Sequence, residues 1–446
     1  MASIFVKKNT TDDYLVAGRG MHPALAALSA VSTWNSGYMF IGFIGFMWMY
    51  GYSAIWISLI STLGQLVAWI WIYKRIQHEA NERNVRSLSS LVAKVKGAPE
   101  AKLAALFSVM FLLIYAAAQL SSGGKALYAM LGWSQMVGIL IGYMLVILYC
   151  TAGGIRASIW TDVMQSIVML IAMILLCGIA INELGGLSGL WSKLEDIDPS
   201  LIDWQSSDAS GGFFLFLLGW LFAGAGVVGQ PHIMIRVMTL KDAASMHTAR
   251  RIYFTWNGLF AAAAIIVGLA ARAYLNDQNL TDPELALPLL AQHLLPTVLV
   301  GLVLAGVFAA TMSTADSQVL SCSAAITQDL FPQWKSNYGL AKLSTILVTA
   351  LVLGVALMGG SVFDLIVLAW SSLAAGLGPL LVLRALGIEV SSTVGVSMML
   401  GALSTVLIWR FVLELTPVVY DAMPAIIVGF LIYGVSRLLS TRPASG

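Results

Sequence analysis

Residues 295–329 read LPTVLVGLVLAGVFAATMSTADSQVLSCSAAITQD. The stretch is long and apolar enough to cross a bilayer, which takes about 20 residues. Residues 310–318 nevertheless carry four hydroxyls, a carboxylate and an amide. An Asp at the centre of a membrane helix costs about 2.5–3.5 kcal/mol, so such residues usually face a cavity or a partner. Back-bonding to the preceding turn explains one such hydroxyl, but a cluster of this size indicates a polar site inside a membrane.

The composition of the whole chain agrees with a membrane protein. Of its 446 residues, 59% are hydrophobic and 10% are charged, and the mean hydropathy is +0.85. A soluble domain carries about 25% charged residues. A net charge of +2 does not point to nucleic acid, and the three cysteines have neither metal-ligand nor disulfide spacing. The sequence therefore predicts an all-α integral membrane protein without an enzymatic cofactor.

Hydropathy predicts about twelve transmembrane helices, and the loops 76–102 and 185–211 are expected to hold short surface helices. The predicted segments are 23–48, 53–75, 103–131, 133–152, 156–184, 212–239, 250–276, 295–329, 339–359, 361–387, 393–412 and 420–440. They form one transporter domain over residues 1–446.

The distribution of Lys and Arg predicts the orientation. With the N-terminus in the cytoplasm, all but four of the 24 basic residues fall on cytoplasmic segments and flanks. The exceptions are Lys125, Lys193, Arg272 and Arg410. This bias follows the positive-inside rule, so we expect a cell-membrane protein with both termini in the cytoplasm.

Two segments carry the interruptions that transporters use to bind ions and solutes at mid-membrane. The first contains Ser32-Thr33-Trp34-Asn35-Ser36-Gly37, and the sixth contains Gly224-Ala225-Gly226 and Gly229-Gln230-Pro231-His232. Small residues also allow close helix packing. Broken helices in matching positions of two five-helix repeats nevertheless predict a binding site between them.

The eighth segment offers oxygen ligands of the kind that sodium, a hard cation, prefers. Ser313 and Thr314 supply neighbouring hydroxyls, and Ala310 supplies a carbonyl one helical turn earlier. Asp162, near the start of the fifth segment, is either a charge that complements a helix dipole or part of a second ion or gating site.

These motifs resemble the sodium/solute symporter family, and within it the bacterial sodium/proline symporters. The matching stretches span nearly the whole chain in the family's order. They are Asp12-Asp13-Tyr14, Gly18-Arg19, Leu28-Ser29-Ala30, Trp160-Thr161-Asp162 with Gln165, Gly229-Gln230-Pro231-His232 with Arg236, Ala249-Arg250-Arg251-Ile252 with Thr255-Trp256, and Ala310 to Thr314 followed by Cys322-Ser323 and Ala325-Ile326-Thr327.

The resemblance implies a LeuT-type core of five plus five helices, with repeats at about 23–184 and 212–387 and peripheral helices at about 393–440. It also implies sodium as the coupling ion and alternating access as the mechanism. The implied residues fall into three groups. They are Ser32, Asn35, Ala310, Ser313 and Thr314 for sodium; Asp162, Asp316 and Ser317 for a second ion or coupling; and Tyr38, Tyr115, Trp220, Gln230 and Pro231 for the solute.

Several positions depart from the proline subgroup. Trp34-Asn35 replaces an Asp-Met pair, so a carboxylate near the ion is missing, although any residue supplies a carbonyl. Tyr38 replaces a Trp, and the spacing from Trp220 to Gln230 is longer. The sequence also begins at the Asp12-Asp13-Tyr14 motif, which family members usually place after one further helix. We expect either a shortened start or a member without that peripheral helix.

The expected function is sodium-coupled symport of a small organic solute, with proline or a related amino acid first. Trp370, Ser371 and Ser372 of the tenth segment are candidates for the cavity lining. One alternative is a proton-coupled or uncoupled carrier of the same fold, with Asp162 or Asp316 titrating. Another is a membrane sensor that binds solute without transport. An enzyme is disfavoured, because the sequence has no nucleophile–base pair or metal motif.

Overall fold

The computed structural model describes residues 10–95, 97–205, 211–276 and 280–440. Within these ranges the chain forms helices and no β-strand, as the apolar composition requires inside a bilayer. The helices are α1 (Thr11–Val16), α2 (Pro23–Trp34), α3 (Phe43–Tyr50), α4 (Ile55–Trp71), α5 (Tyr73–Glu82), α6 (Leu88–Val92), α7 (Pro99–Leu131), α8 (Gln135–Glu183), α9 (Gly186–Ile197), α10 (Phe213–Ala225), α11 (Pro231–Met238), α12 (Met246–Tyr274), α13 (Ala286–Leu294), α14 (Thr297–Ala325), α15 (Tyr338–Ala356), α16 (Val362–Ala385), α17 (Ser392–Phe411) and α18 (Ala422–Ser440).

Nine helices in the described ranges are long and apolar enough to cross a membrane, or ten if the bent pair Phe213–Gly229 and Pro231–Met238 is one span. Two of the nine, Tyr38–Trp71 and Gln135–Glu183, each contain parts of two predicted segments. A glycine with positive φ separates those segments in both cases: Gly51 in the first and Gly154 in the second. The twelve predicted segments therefore all correspond to helices, but some are joined without a loop.

Helix α14 forms the centre of the bundle. It packs against α7 and α8 and also contacts α2 and α11. Every residue from Ala309 to Ala325 is buried, so the polar cluster at 310–318 contacts protein and not lipid. The predicted segment 295–329 ends in a π-helical turn at Ile326–Leu330.

Both predicted interruptions are present. The first helix stops at Asn35, where φ is −84° and ψ is 51°, and resumes as a π-helical turn at Tyr38–Gly42 followed by α3. The sixth passes from α10 through a short 3-10 turn to Gln230, which is extended, and then into α11 at an angle of 54°. Pro231 begins α11, where its missing N–H is not needed.

The last two predicted segments form α17 and α18, and both long loops contain helices, although α6 is mostly buried and does not lie on the surface. Helices α17 and α18 pack against each other and against α16, while their outer faces carry exposed apolar side chains such as Leu407 and Leu431. Residues 76–102 hold the end of α5 together with α6, and residues 185–211 hold α9.

Helix α8 is the longest element and bends at Gly154. Its 49 residues would span roughly 74 Å at 1.5 Å per residue, more than twice the hydrocarbon thickness of about 30 Å. Gly154 has φ 58° and ψ −153°, a conformation that is essentially restricted to glycine. A Cβ at this position would lie 2.4 Å from Cδ2 of Tyr14. The predicted segments 133–152 and 156–184 thus meet at a tight turn against α1.

We expect Gly154→Ala to lower the apparent unfolding temperature in detergent, because the backbone strain alone costs about 1–3 kcal/mol. Gly178→Ala is the matched control, since Gly178 lies in the same helix and a Cβ there meets nothing within 4 Å. Thermal unfolding of the two purified variants measures the difference. Equal unfolding temperatures would show that the turn at Gly154 tolerates a side chain.

Candidate functional site

The break in the first helix is held by side chains from neighbouring helices. The N–H of Gly37 donates a hydrogen bond of 2.8 Å to Oε1 of Gln119 on α7. A Cβ on Gly37 would lie 2.6 Å from Oγ of Ser122 and 2.9 Å from Cγ2 of Thr311. Glycine is therefore required at this point because the backbone approaches two helices closely.

Hydroxyl groups of α2 and α14 face each other just before that break. The Oγ atoms of Ser32 and Ser313 are 2.8 Å apart. The Thr314 hydroxyl donates to the carbonyl of Thr33 at 3.1 Å and to that of Ala310 at 3.0 Å. Ser32, Ala310, Ser313 and Thr314 are all fully buried. We call this contact, formed by Ser32, Thr33, Ala310, Ser313 and Thr314, the hydroxyl seam.

The side chain of Asn35 points away from the hydroxyl seam. Its Nδ2 donates to the carbonyl of Val31 at 3.0 Å and to Oδ1 of Asn257 on α12 at 2.9 Å. The structure thus brings together four of the five residues predicted for sodium. Only the backbone carbonyl of Asn35, not its amide, is compatible with the predicted role.

A buried charge cluster adjoins the seam. Arg236 of α11 lies 3.1 Å from Oδ2 of Asp162 on α8, and their side chains are 1% and 0% exposed. The same guanidinium donates to Ser29, Ser158 and Ser317. The hydroxyl of Ser158 in turn lies 3.2 Å from Oδ1 of Asp316. Asp162, Asp316 and Ser317 were predicted together, and the structure places them in one cluster.

Arg236 was missed as a site residue, although it belongs to a stretch that carried the family resemblance. With both carboxylates ionised, Asp162, Asp316 and Arg236 give the cluster a net charge of −1. A buried, uncompensated charge is costly, so this arrangement favours a cation nearby. The sequence signal was available, since an arginine so close to a membrane-helix break is rare outside polar sites.

A cavity of about 50 Å³ lies on the other side of the break. One water needs about 10–15 Å³ of such volume, so the cavity accommodates a few waters or a small solute. Its lining side chains are uncharged and mostly aromatic or aliphatic. They are Trp34, Asn35, Tyr38, Met39, Phe43, Ile57, Ser58, Ser61, Thr62, Tyr115, Trp220, Ala223, Asn257, Ile366, Val367, Trp370 and Tyr420.

Three of the five residues predicted for the solute line this cavity: Tyr38, Tyr115 and Trp220. Gln230 and Pro231 are buried but lie outside the lining as described. Nε2 of Gln230 donates to the carbonyl of Trp370 at 2.9 Å and so links the second break to α16.

Of the three candidates from the tenth segment, one lines the cavity, and two further lining residues were not predicted. Trp370 does line the cavity, whereas Ser371 and Ser372 do not. The sequence indicates Asn257 only weakly, as an amide side chain within an apolar segment. It does not indicate Tyr420, because that residue precedes a peripheral helix. The ring of Tyr420 stacks on Trp220 with centroids 4.8 Å apart and planes 2° apart.

A vestibule of about 500 Å³ adjoins the cavity. The two share Trp220, Val367 and Tyr420 as lining residues. Phe363 contributes to the partition between them by stacking on Tyr38 with centroids 5.6 Å apart. Helix α1 packs against α8, α11, α14 and α15, and Asp13 pairs with Arg156 at 2.6 Å.

Two broken helices, a buried oxygen-rich seam and a central cavity together define a secondary transporter. A model of the sodium:solute symporter family matches residues 14–395. The chain therefore belongs to that family.

Relatives of known function agree with this assignment. The sodium/proline symporter of Escherichia coli (strain K12) is 31% identical, over 97% of this chain and 89% of its own length. An osmoregulated proline transporter of Bacillus subtilis (strain 168) is 27% identical, over 98% and 92%. Among solved structures, a sodium-coupled sialic acid symporter in a substrate-bound, outward-open state superposes with a TM-score of 0.81 at 18% identity, covering 97% and 94%.

The protein is thus a multi-pass membrane transporter with the LeuT-type fold, and it couples sodium to the symport of a small solute. The prediction that it is a transporter and not an enzyme is confirmed. Sodium is its coupling ion.

We expect Arg236→Met to destabilise the protein strongly, because breaking a buried ion pair costs about 3–5 kcal/mol. Asp162→Asn alone removes the partner charge, and the double variant removes both. The loss in the double variant should be well below the sum of the single losses. Thermal unfolding of all three variants in detergent tests this, and additive losses would contradict a direct pair.

Proposed function

We propose that the protein imports proline or a closely related amino acid, driven by sodium that binds at the hydroxyl seam. The seam is the observation that carries the sodium site, since it gathers hydroxyl and carbonyl oxygens of two helices in a buried place beside the cluster of Asp162, Asp316 and Arg236. The identity of the solute rests on relatives that transport proline and on a cavity suited to a small, partly apolar molecule.

The proposed sodium ligands are the carbonyls of Ser32, Asn35 and Ala310 and the hydroxyls of Ser313 and Thr314. In the structure, the seam hydroxyls bond to one another and to these helices. A bound sodium would replace those contacts with shorter, charge-assisted ones that join α2 to α14. A hard cation prefers such oxygen donors.

Asp162, Asp316 and Ser317 are proposed to couple ion binding to helix movement and not to hold a second sodium. The Arg236 guanidinium already supplies a positive charge 3.1 Å from Asp162. With both carboxylates ionised, a sodium at the adjoining seam would neutralise the remaining net charge of −1. The carboxylates thereby raise sodium affinity without contacting the ion.

Transport is proposed to follow alternating access, with repeats 23–184 and 212–387 in one domain and helices 393–440 at its edge. Sodium and solute enter through the vestibule, and the face covered by α1 then opens by rocking of one bundle against the rest. One sodium moving down 100 mV supplies about 2.3 kcal/mol. The ion shifts the equilibrium only by its differential affinity for the two states.

In liposomes with an inward sodium gradient, we expect labelled proline uptake by the wild type and a loss of about tenfold in apparent sodium affinity for Ser313→Ala and Thr314→Ala. One weakened ligand contact of about 1.4 kcal/mol produces that factor. Ser108→Ala is the matched control, because Ser108 is buried and only back-bonds to Ala104 at 2.7 Å.

Different results separate the parts of this proposal. Absence of sodium-driven proline uptake by the wild type would remove proline as the solute. Uptake that follows a proton gradient with potassium in place of sodium would replace the sodium site with a titrating Asp316 or Asp162. Unchanged sodium affinity in both seam variants would place the ion elsewhere.

We propose that the protein lies in the cell membrane with both termini in the cytoplasm. We expect Lys193→Cys on α9 to react with an impermeant maleimide from outside intact cells, and Lys74→Cys on α5 to react only after permeabilisation. Both positions are exposed, and the three native cysteines are buried. The reverse labelling pattern would invert the topology.

A further inference from the structure

The side chain of Asn35 presents an unused hydrogen-bond acceptor at the cavity. Both hydrogens of its Nδ2 are engaged, one by the carbonyl of Val31 and one by Oδ1 of Asn257. This fixes the orientation of the amide. Oδ1 of Asn35 is buried and has no partner among the described residues. Such an atom is costly to leave unpaired, so it requires a donor from the contents of the cavity.

Asn257 holds this acceptor in place. Its Oδ1 receives the hydrogen bond from Asn35, and its own Nδ2 donates to Oγ1 of Thr62 on α4 at 3.2 Å. Asn35 is fully buried and Asn257 is 2% exposed. Three polar side chains, Asn35 at the end of α2, Asn257 on α12 and Thr62 on α4, are therefore hydrogen-bonded in series and fix one acceptor at the edge of the cavity.

The rest of the lining selects the kind of donor. Trp34, Trp220, Trp370 and Tyr420 surround the cavity with aromatic rings, and such rings attract an ammonium group. A sugar carries many hydroxyls, and this mostly apolar lining would leave several of them without partners. Because the lining carries no charge, it does not repel a cationic nitrogen. It also does not require the solute to carry a net charge.

We propose that Oδ1 of Asn35 accepts a hydrogen bond from an N–H group of the transported solute and selects ammonium-bearing amino acids over solutes without an N–H. Asn257 is the positioning residue. This inference rests on the proposed function and adds a recognition contact to it. It involves the Asn35 side chain, whereas the proposed sodium contact involves the Asn35 carbonyl.

The test compares L-proline with N,N-dimethyl-L-proline, which differs by having no N–H. Sodium-dependent binding to the purified protein is measured for both ligands in each preparation, so that the affinity ratio does not depend on the folded fraction. We expect the wild type to bind proline at least about tenfold more tightly, because a site built to hydrogen-bond an N–H of its ligand rejects an analogue that lacks it. In Asn35→Met the preference should fall below about threefold.

Three variants test the chemistry of the acceptor and its positioning. Asn35→Asp keeps an acceptor oxygen but loses the Nδ2 donor that fixes its orientation, so its preference for proline should lie between those of the wild type and Asn35→Met. Asn257→Leu should weaken the preference. Asn257→Asp should keep it, because a carboxylate still accepts the hydrogen bond from Nδ2 of Asn35. Asn182→Met is the matched control, since Asn182 is exposed at the end of α8, and its affinity ratio should equal that of the wild type.

Equal wild-type affinity for the two ligands would overturn the inference and leave sodium-coupled transport intact. If the wild type binds no proline, proline is not the solute. A screen of small solutes for sodium-dependent binding then replaces the comparison of the two proline ligands. Hits dominated by sugars or quaternary betaines would then overturn the inference. The inference would be supported by solutes that have an N–H and bind the wild type more tightly than their N-methylated forms do, provided that this difference in affinity disappears in Asn35→Met.

Discussion

Backbone groups cannot remain unpaired inside a bilayer, and the architecture of this transporter depends on that constraint. Where the first helix is interrupted after Asn35, Gln119 of α7 accepts the hydrogen bond of the Gly37 N–H. At the second interruption, the indole of Trp370 donates to the carbonyl of Ala223, and Gln230 donates to the carbonyl of Trp370. The residues that make both breaks possible therefore come from the helices that surround the cavity.

The buried charge cluster extends this logic from backbone to side chains. Through Ser29, Asp162, Arg236 and Ser317 it joins α2, α8, α11 and α14. Four helices share one guanidinium, so movement of any one of them must rearrange contacts to the other three. A cation at the hydroxyl seam would act on this same set of contacts. The proposed coupling would therefore act through this shared network of contacts and not through a single ion ligand.

Solute recognition is arranged differently. The cavity has no charged lining side chain among the described residues, and its polar groups are few. If the solute binds here as proposed, its specificity depends on the few polar atoms that are fixed in place and on the fit of aromatic rings such as Trp220 and Tyr420. The cavity and the hydroxyl seam lie on either side of one helix break, so a solute and a sodium bound at the proposed sites would influence the same short segment of backbone.

The sequence by itself determined the membrane class, the twelve apolar segments, both interruptions and the polar stretch of α14, because each depends on local composition and spacing. Tertiary structure decided which side chains meet. Asn35 turns toward Asn257, Arg236 occupies the place beside Asp162 that had been considered for a second ion, and Tyr420 reaches the cavity from beside a peripheral helix. Those contacts join residues far apart in the chain, and only the packing of whole helices fixes them.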